Sequence, residues 1–535
     1  MALLTNPPAV AGGQAVAVTD DAGTLTWAAL DEQVDRVVRA LRARGLVEGD
    51  TVALMAGNQR EALVVTLACL HGGWLVVPVN WHWVADELRY VLDDADAAAL
   101  FVAAPWADVA IEAIRGAHEL GTSAPPLLVC IGGTTDGSVS FDALLAEGDG
   151  GDLGDQIRGG PMFYTSGTTG FPKGVKGALG QTGGDVAIWQ LLVAGIAATI
   201  GIEGGVGSGG VGSGGAATSP PVLLLCGPLY HSAQWVFTVA ALLAGASVVM
   251  QQRFDAEAVL RAIDEHSVTN VHLVPAQMVR LLRVDAERRE RFDGSSLRRV
   301  HHGAAPCPEP VKRAMLDWWG PVIWEYYGGT EGGFLTMISP EEWLERPTSV
   351  GRPVSIMEVE VRGPDGELLG PGEVGDLCFR SIMGTSFEYH KAPEKTAAAH
   401  RGPGTGTLGD LGSVDEDGYV HLSDRRTDLI ISGGVNIYPA EIERVLNTHP
   451  VVGDVAVFGI PDEEMGQTVM AVIEPVGGLP VPDGLVDELD AHCREQLAGY
   501  KRPRRWDFMA ELPRSEAGKL TKRALRDPYW ESQDA

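Results

Sequence analysis

The sequence predicts an α/β protein with at least two domains. Its 535 residues exceed what one hydrophobic core usually serves. Two short apolar runs, residues 51–56 and 74–79, are flanked by glycine, asparagine and charged residues and are separated by a helical stretch. This alternation of strands and helices is typical of largely parallel sheets. A change of composition near Asp424 predicts a domain boundary, after which residues 424–535 are expected to form a small α+β domain.

The first predicted element is an amphipathic helix that begins after Thr26 and ends at Gly45. One face of it carries apolar residues at helical spacing: Leu30, Val34, Val37, Val38 and Leu41. Further on, residues 188–202 are the most apolar run of the chain. This run has the length of a helix but is interrupted by glycine and polar residues and falls short of a membrane span. We therefore expect a core helix there.

Residues 203–218 read EGGVGSGGVGSGGAAT, in which a GGVGS unit recurs. No side chain in this segment could anchor a core, which predicts a mobile loop. The segment resembles an insertion, and a dispensable linker is favoured over a substrate lid.

Composition narrows the classes of function. A formal net charge of −30 disfavours nonspecific binding to nucleic acid or to an anionic membrane. Residues 1–10 show no basic segment followed by an apolar core, so we expect no secretory signal and a cytoplasmic protein. The six cysteines lie far apart without a C-x-x-C pair and are expected to be reduced and buried.

Residues 163–175, FYTSGTTGFPKGV, have the composition of a phosphate-binding loop. Gly167 and Gly170 free the backbone so that successive N–H groups can face one anion, and Lys173 offers a charge to the outer phosphates. The hydroxyl-bearing residues of the loop complete the predicted site: Thr165, Ser166, Thr168 and Thr169. Because Gly174 follows the lysine, the spacing differs from G-x-x-x-x-G-K-[ST]. The alternative is a plain glycine-rich turn, which would need none of this order.

From this loop to the C-terminus the chain resembles the adenylate-forming superfamily of acyl-CoA synthetases, luciferases and the adenylation domains of peptide synthetases. The resemblance implies an N-terminal AMP-binding domain, residues 1–423, with parallel-rich sheets sandwiched by helices and a small β-barrel-like subdomain. Residues 424–535 would then be a mobile C-terminal lid domain.

The segment EYYGGTEG, residues 325–332, matches the adenine motif of the family. By this resemblance Tyr327 packs on adenine, Thr330 lies near the α-phosphate and Glu331 binds Mg²⁺. An aromatic face suits a purine, and a hard carboxylate suits Mg²⁺. The implied nucleotide site also includes the neighbouring residues Glu325, Tyr326 and Gly328. Alone, the segment could be a strand followed by a glycine turn.

Two further segments complete the implied nucleotide site. HGAAP, residues 302–306, resembles a loop beside adenine and the acyl group, with small residues that leave room for ligand: Gly303, Ala304 and Ala305. In TLGDLGSVDEDGY, residues 407–419, Asp410 matches the aspartate that accepts hydrogen bonds from both ribose hydroxyls. The family often has glycine-tryptophan before this aspartate, whereas this chain has RGPGTGTLGD.

The stretch SDRRTDLIISGGVNIYPAEIE, residues 423–443, resembles the hinge of the family and the strand after it. Asp424 matches the hinge and Arg425 the residue that reaches the ribose. In the family the small domain rotates here between two half-reactions and brings a glycine pair, Gly433 and Gly434 in this chain, to the pantetheine tunnel. A plain linker is the alternative.

Three more positions follow from the resemblance. Lys519, in ELPRSEAGKL, matches the catalytic lysine, whose ammonium would bridge the carboxylate and the α-phosphate; an exposed tail lysine is the alternative. His231, in PLYHSAQW, matches an aromatic gate between the acyl pocket and the CoA tunnel; a core histidine is the alternative. Arg253 matches a basic position that contacts the CoA phosphates, on weaker grounds.

The acyl pocket implied by the resemblance carries no charged side chain: Ile188, Trp189, Leu192, Trp235, Ala304, Gly329, Gly333 and Phe334. Amino acids are disfavoured, because their ammonium group would be left unpaired. A medium- or long-chain acid, an aryl acid and a polycyclic terpenoid or steroid acid all stay open.

The motifs together imply an acyl-CoA ligase that requires ATP and Mg²⁺, with CoA as the acceptor, most like bacterial fatty-acyl-CoA synthetases. Three alternatives stay open: a ligase that only converts a preformed acyl adenylate to the thioester, an enzyme that loads a carrier protein, and a non-catalytic nucleotide-binding protein. Many relatives are homodimers, but the sequence shows no interface signature.

Overall fold

The structure of the chain is a computed structural model. It describes residues 13–123, 125, 127–149, 151, 153–165, 172–184, 186–202, 220–304, 307, 309–425, 430–437, 439–513 and 522–531. The glycine-rich segment 203–218, six residues of the predicted phosphate loop (166–171), Ala305 and Lys519 lie outside these ranges.

The first part of the chain alternates strands and helices: β1 (Val16–Asp20), β2 (Gly23–Thr26), α1 (Trp27–Ala43), β3 (Thr51–Met55), α2 (Arg60–Gly72), β4 (Leu75–Pro78), α3 (Ala85–Asp94), β5 (Ala97–Ala103), α4 (Ala107–Leu120), β6 (Leu127–Ile131), β7 (Val139–Ser140), α5 (Phe141–Glu147), β8 (Gly160–Pro161), β9 (Phe163–Thr165), β10 (Lys173–Lys176) and α6 (Val186–Thr199).

The middle of the chain continues the pattern: β11 (Val222–Leu225), α7 (Ser232–Leu243), β12 (Ser247–Met250), α8 (Ala256–His266), β13 (Asn270–Leu273), α9 (Pro275–Leu282), α10 (Ala286–Arg291), β14 (Arg299–His302), α11 (Glu309–Trp319), β15 (Ile323–Gly329), β16 (Gly333–Ile338), α12 (Pro340–Glu345) and β17 (Arg352–Pro353).

The last part is richer in strands: β18 (Met357–Arg362), β19 (Gly375–Ser381), β20 (Glu388–Tyr389), α13 (Pro393–Ala398), β21 (His400–Gly402), β22 (Thr405–Val414), β23 (Val420–Arg425), β24 (Ile430–Ser432), β25 (Val435–Ile437), α14 (Pro439–Leu446), β26 (Val452–Asp462), β27 (Gly466–Pro475), α15 (Leu485–Gln496), β28 (Arg505–Phe508) and α16 (Lys522–Glu531).

The expected α/β architecture with parallel-rich sheets is confirmed. A nine-stranded sheet has the order β17-β16-β15-β14-β13-β11-β12-β1-β2, and its centre from β15 to β1 is parallel. A six-stranded parallel sheet has the order β7-β6-β5-β3-β4-β8. One hydrophobic core contains residues of both sheets together with α1, α2 and α7, so helices lie between the sheets. Helices α8, α9 and α11 cover the outer face of the first sheet, and α3 and α4 that of the second.

Local predictions agree with the elements that formed. Thr26 caps α1, with its Oγ1 accepting a hydrogen bond from the Ala29 N–H at 3.3 Å. The five apolar residues predicted to share one face are fully buried. Residues 51–56 and 74–79 contain β3 and β4, α2 lies between them, and the apolar run 188–202 falls largely within α6. Within the described ranges, no helix has both the length and the apolar character needed to cross a bilayer.

Three smaller sheets complete the fold. Strands β9, β10 and β20 form an antiparallel sheet of three strands. Strands β18, β19, β22, β21 and β23 form a five-stranded sheet that corresponds to the expected small subdomain. Strands β24 to β28 form the C-terminal sheet, packed on one face by α14 and α15 and on the other by α16. The predicted limit between the domains 1–423 and 424–535 falls within β23, near its end at Arg425. These domain limits stay a prediction.

Candidate active site

A cavity of about 610 Å³ lies where the large N-terminal part meets the C-terminal sheet. Its walls come from β9, the N-terminal end of α7, the β15–β16 hairpin, the middle of α6 and the β24–β25 turn. These elements are far apart in sequence. Helix α7 and the β15–β16 hairpin reach the cavity from the carboxyl ends of the parallel strands β11 and β15, which meet at one edge of the nine-stranded sheet. Strand β9 and the β24–β25 turn belong to other sheets.

The β15–β16 hairpin carries the predicted adenine and phosphate residues. Tyr327 is buried, and its hydroxyl donates a 2.6 Å hydrogen bond to Oδ2 of Asp410, which is also buried. The predicted adenine platform and the predicted ribose acceptor are thus joined in one pair. The backbone is tightly packed here, since a Cβ on Gly328 would lie 1.9 Å from the carbonyl oxygen of Gly333.

Thr330 and Glu331 lie in the turn of this hairpin and both line the cavity. The hydroxyl groups of Thr330 and Ser232 are 2.9 Å apart, which fixes the turn to the start of α7. Glu331 accepts a 3.0 Å hydrogen bond from the hydroxyl of Tyr389. Burial raises the pKa of Glu331, while Tyr389 and Lys173 act in the opposite direction.

Lys173 is the first residue of β10 and pairs with Thr165, the last residue of β9. Its ammonium lies 5.3 Å from the ring centroid of Tyr389. Burial lowers the pKa of Lys173, and Lys395 lowers it further. Glu331, which lines the cavity, therefore lies beside a lysine and a phenol that are not among the described lining residues.

Tyr389 and Lys395 were missed by the sequence analysis. Tyr389 reaches the site because β20 pairs with β10, across more than two hundred residues of sequence, in the register Val175 opposite Tyr389. No local spacing indicates such a pairing.

His231 lies at the N-cap of α7 and lines the cavity, with its ring 4.5 Å from that of Tyr230. Burial lowers the pKa of His231 to about 4, with a smaller contribution from His82. The imidazole is therefore neutral at pH 7, which suits the gating role expected of it better than acid–base work.

The predicted acyl residues divide into two groups. Leu192, Gly329, Gly333, Phe334 and Ala304 line the cavity. Trp189 and Trp235 are instead buried in the core and are not among the described residues that line it. Phe163 lines the cavity beside Trp235, with ring centroids 5.6 Å apart. Ile188 falls within α6, but its side chain lies outside what the structure describes.

Two residues that form a hydrogen-bonded network with Tyr326 on the cavity wall, Gln234 and His272, were also missed. Gln234 Nε2 lies 2.9 Å from Nδ1 of His272, and Nε2 of His272 lies 3.0 Å from the hydroxyl of Tyr326. All three residues line the cavity. Burial lowers the pKa of His272 to about 3 and raises that of Tyr326, so the three hydrogen-bonded side chains are neutral at pH 7. They come from α7, β13 and β15, and only the parallel sheet makes them neighbours.

The loop after β14 approaches the hairpin closely. Ala304 has φ of +66°, an unusual conformation for a residue with a side chain and one that clusters at functional sites. A Cβ on Gly303 would lie 2.6 Å from the ring of Tyr326, so only glycine fits there. Glu325 is not among the described residues that line the cavity, and its carboxylate pairs with Lys312 Nζ at 2.6 Å in the core.

The predicted CoA residues differ in placement. Gly433 and Gly434 form the turn between β24 and β25, with φ of +57° and +81°, and both line the cavity. A Cβ on Gly434 would lie 3.0 Å from Cβ of Val274 in the large domain. Arg253 is exposed and is not among the described lining residues. Asp424 and Arg425 end β23, in which Arg425 is paired with Asp410, but their side chains lie outside what the structure describes.

The side chains at the site limit the kind of metal ion that it could hold. Among the described residues, no three His, Cys, Asp or Glu side chains are grouped to hold a metal. Glu331 offers a single carboxylate at the cavity, next to Lys173. One carboxylate fits a Mg²⁺ ion whose other ligands are nucleotide phosphates and water.

Comparison with known proteins agrees with this arrangement. The AMP-binding enzyme family model matches residues 8–386, and the model of the AMP-binding enzyme C-terminal domain matches residues 441–519. A feruloyl-CoA synthase of Amycolatopsis sp is 32% identical over 514 residues, which cover 96% of this chain and 95% of that protein. A fatty acid–[acyl-carrier-protein] ligase of Streptomyces coeruleorubidus is 30% identical, with 96% and 93% covered.

Among solved structures, the amide bond synthetase McbA of Marinactinospora thermotolerans aligns with a TM-score of 0.82 and 30% identity, over 97% of both chains. The first family model alone matches well over half of the chain. The chain therefore belongs to the AMP-binding enzymes of the adenylate-forming superfamily.

Proposed function

We propose that this enzyme activates an apolar carboxylic acid with ATP and transfers the acyl group to CoA. The observation that carries the proposal is one cavity bordered by three features: the carboxylate of Glu331, an apolar acyl wall and the Gly433–Gly434 turn. The Tyr327–Asp410 pair lies beside it, since Asp410 is close enough to Glu331 to raise the pKa of that carboxyl group. A nucleotide, an acid and a thiol could meet there without leaving the protein.

In the first half-reaction a carboxylate oxygen attacks the α-phosphorus of ATP, and pyrophosphate leaves. Tyr327 and Asp410 would hold the nucleoside, and Glu331 would hold Mg²⁺, which neutralises phosphate charge. Lys173 and Thr330 would contact the phosphates. Repulsion between the two anions is severe in a site with little water, so a cation is needed between them. We assign that role to Lys519 on the basis of its motif.

In the second half-reaction the CoA thiol attacks the acyl carbon, and AMP leaves with the oxygen that joined it to the acyl group. AMP is a good leaving group, so little proton transfer is required. Neutral His231 would act as a gate between acyl pocket and thiol tunnel, and the Gly433–Gly434 turn would form part of the tunnel wall.

The acyl side of the cavity favours an acid without a second charged group. Leu192, Phe163 and Phe334 supply apolar surface there. The hydrogen-bonded side chains of Gln234, His272 and Tyr326 are neutral, so they could accommodate an uncharged oxygen on the acid but could not balance a second charge. An aryl, polycyclic or fatty acid meets these conditions, and an amino acid does not.

The acceptor is the second open point. Relatives named for CoA, carrier-protein and amide products share the fold at about equal identity. We favour free CoA because the tunnel turn lies directly on the cavity. Cytoplasmic location and a homodimeric state are further proposals, to be tested by fractionation and light scattering.

The test is to incubate the protein with a panel of fatty, aryl and polycyclic acids, ATP and Mg²⁺, and to identify products by mass. The acceptors are CoA, a phosphopantetheinyl carrier protein, an amine and none. The proposal expects acyl-AMP without an acceptor and acyl-CoA as the main product with all acceptors present. Acyl-CoA formed from synthetic acyl-AMP but never from ATP would indicate an enzyme limited to thioester formation. Acyl-carrier or amide as the main product would refute CoA as the acceptor.

A further inference from the structure

A buried cluster of three charged residues joins the two domains at the cavity, which Lys501 lines. Lys501, after α15, is 1% exposed. Its ammonium lies 2.6 Å from Oε1 of Glu87 on α3 and 2.6 Å from Oε1 of Glu441 on α14. Glu87 belongs to the large domain, whereas Lys501 and Glu441 belong to the C-terminal part. One lysine thus binds one carboxylate from each side of the domain boundary.

The surroundings of Lys501 are built as an interface. The hydroxyl of Tyr500 accepts a 2.9 Å hydrogen bond from Nδ2 of Asn80 in the large domain. Ala498 is fully buried in the hydrophobic core that contains Trp83 and residues of α3. Lys501 also lies 5.8 Å from the ring centroid of Trp83. Together these contacts dock the C-terminal part on the start of α3.

The cluster is also connected to the predicted thiol tunnel. Glu441 lies in the first turn of α14, which follows the strand β25 that leaves the Gly433–Gly434 turn. Gly434 packs against Val274 at the cavity. Lys501 therefore anchors, through Glu441, the helix that carries this turn into the site.

We propose that Lys501 is a positioning residue for the thioester-forming half-reaction, which it serves by binding Glu87 and so holding the Gly433–Gly434 turn at the cavity. The inference rests on the proposed function. If the C-terminal domain rotates to bring Lys519 to the same cavity, Lys501 stays with Glu441 but leaves Glu87. Glu87 is then the partner specific to the arrangement seen here.

The charges of Lys501, Glu87 and Glu441 indicate that breaking this cluster should destabilise the docked arrangement of the two domains. Burial raises the pKa of Glu87 to about 7 against the opposing effect of Lys501. Glu87 and Glu441 in turn raise the pKa of Lys501, which burial alone would lower. Removal of Lys501 would leave two carboxylates facing each other without a cation in a buried site, which strongly disfavours the docked arrangement. Removal of Glu87 leaves Lys501 paired with Glu441 and takes away the ion pair that crosses the domain boundary.

The experiment measures the two half-reactions separately in Glu87→Gln, Glu87→Ala and Lys501→Met. Glu87→Gln keeps the size of the side chain and an oxygen that can accept the 3.2 Å hydrogen bond from the Val84 N–H. We expect acyl-CoA formation from synthetic acyl-AMP to fall at least roughly 10-fold in Glu87→Ala, with acyl-AMP formation from ATP within about twofold of wild type. Lys501→Arg should restore part of the rate lost in Lys501→Met.

Two controls make the outcome specific. Glu464→Gln removes an exposed ion pair across the same boundary, with Arg280 at 2.6 Å, and should change neither half-reaction by more than about twofold. The double variant Glu87→Ala/Lys501→Met should be no slower than Lys501→Met alone, because both changes break one contact.

Equal losses in both half-reactions, no loss in either, or additive losses would each overturn the proposal. Should Lys501→Met fail to fold, the Glu87 variants decide the matter, since Glu87 lies in the other domain. Failure of wild type to form acyl-CoA from either ATP or acyl-AMP would instead refute the proposed function itself.

Discussion

At the scale of single residues, the site depends on polar groups placed in pairs. The hydroxyl of Tyr327 donates a hydrogen bond to Asp410 and so fixes the position of that carboxylate. In the proposed function the ring of Tyr327 would pack on adenine and Asp410 would bind the ribose. The two residues therefore act together, although they are separated by more than eighty positions in the sequence.

Tyr327→Phe tests this pair. The variant keeps the aromatic face but removes the hydroxyl that Asp410 accepts from. A hydrogen bond to a charged group contributes about 1.5–3 kcal/mol, so we expect the KM for ATP to rise roughly 10-fold or more while the KM for the acid changes little. Steady-state kinetics with each substrate varied in turn would check this. An equal rise in both KM values would show that the pair supports the fold and not the nucleotide.

A second residue-scale prediction concerns His71, which is fully buried in α2. Neither ring nitrogen has a hydrogen-bond partner among the described residues, and burial lowers the pKa of His71 to about 3. The unfolded chain, with an ordinary histidine pKa of about 6.5, binds a proton that the folded chain does not. The free energy of unfolding therefore falls as the pH drops below 6.5.

His71→Leu removes this pH-dependent contribution. Relative to wild type, the variant should gain about 1.4 kcal/mol in free energy of unfolding between pH 7.5 and pH 5.5. Urea denaturation of both proteins at the two pH values provides the measurement. A difference that is independent of pH would mean that His71 is charged or solvated in the folded protein.

At the scale of elements, the β15–β16 hairpin sets the geometry of the site. Its turn holds Thr330 and Glu331, and its two strands approach most closely at Gly328 and Gly333. A Cβ at Gly328 would collide with backbone and not with a flexible side chain, so the hairpin would have to open.

Gly328→Ala should therefore lower the rate of acyl-AMP formation roughly 100-fold, because displacing reacting groups by about 1 Å has an effect of that order. Gly195→Ala is the matched control: Gly195 lies in α6, where an added Cβ would meet no atom within 4 Å. That variant should stay active and gain roughly 0.5–1 kcal/mol in stability. Pyrophosphate release and denaturant unfolding would measure both effects, and full activity of Gly328→Ala would contradict the role given to the hairpin.

Elements with a local sequence signal could be predicted, whereas contacts between distant segments could not. Helix α1, with its Thr26 cap, and the strands β3 and β4 follow from patterns within a few residues. The cavity-lining members of the EYYGGTEG motif were found because they are adjacent in sequence. Tyr389, Ser232 and His272 were not, since each reaches the site only through strand or helix packing across long sequence separations. Trp189 and Trp235 were assigned to the acyl pocket by resemblance but are buried in the core, because a shared motif locates a helix without showing which of its side chains face the cavity.

At the scale of the whole molecule, two domains meet around one cavity. The large domain supplies the sheet edge, the nucleotide pair and the acyl wall, while the C-terminal domain supplies the Gly433–Gly434 turn and the contact of Lys501 with Glu87. In the proposed function the docked arrangement serves thiol transfer, while adenylate formation is assigned to Lys519, which would have to reach the cavity from the same domain. Domain rotation is thus a requirement of the proposed chemistry.

The most direct test of the two-step mechanism follows the oxygen atoms of the acid. The enzyme is given an accepted acid labelled with ¹⁸O in both carboxylate positions, together with ATP, Mg²⁺ and CoA, and the products are weighed by mass spectrometry. Attack of the carboxylate on the α-phosphorus, followed by thiol transfer, predicts AMP that carries one ¹⁸O atom and acyl-CoA that retains the other. Unlabelled AMP, or ADP with label in inorganic phosphate, would contradict an acyl-adenylate intermediate.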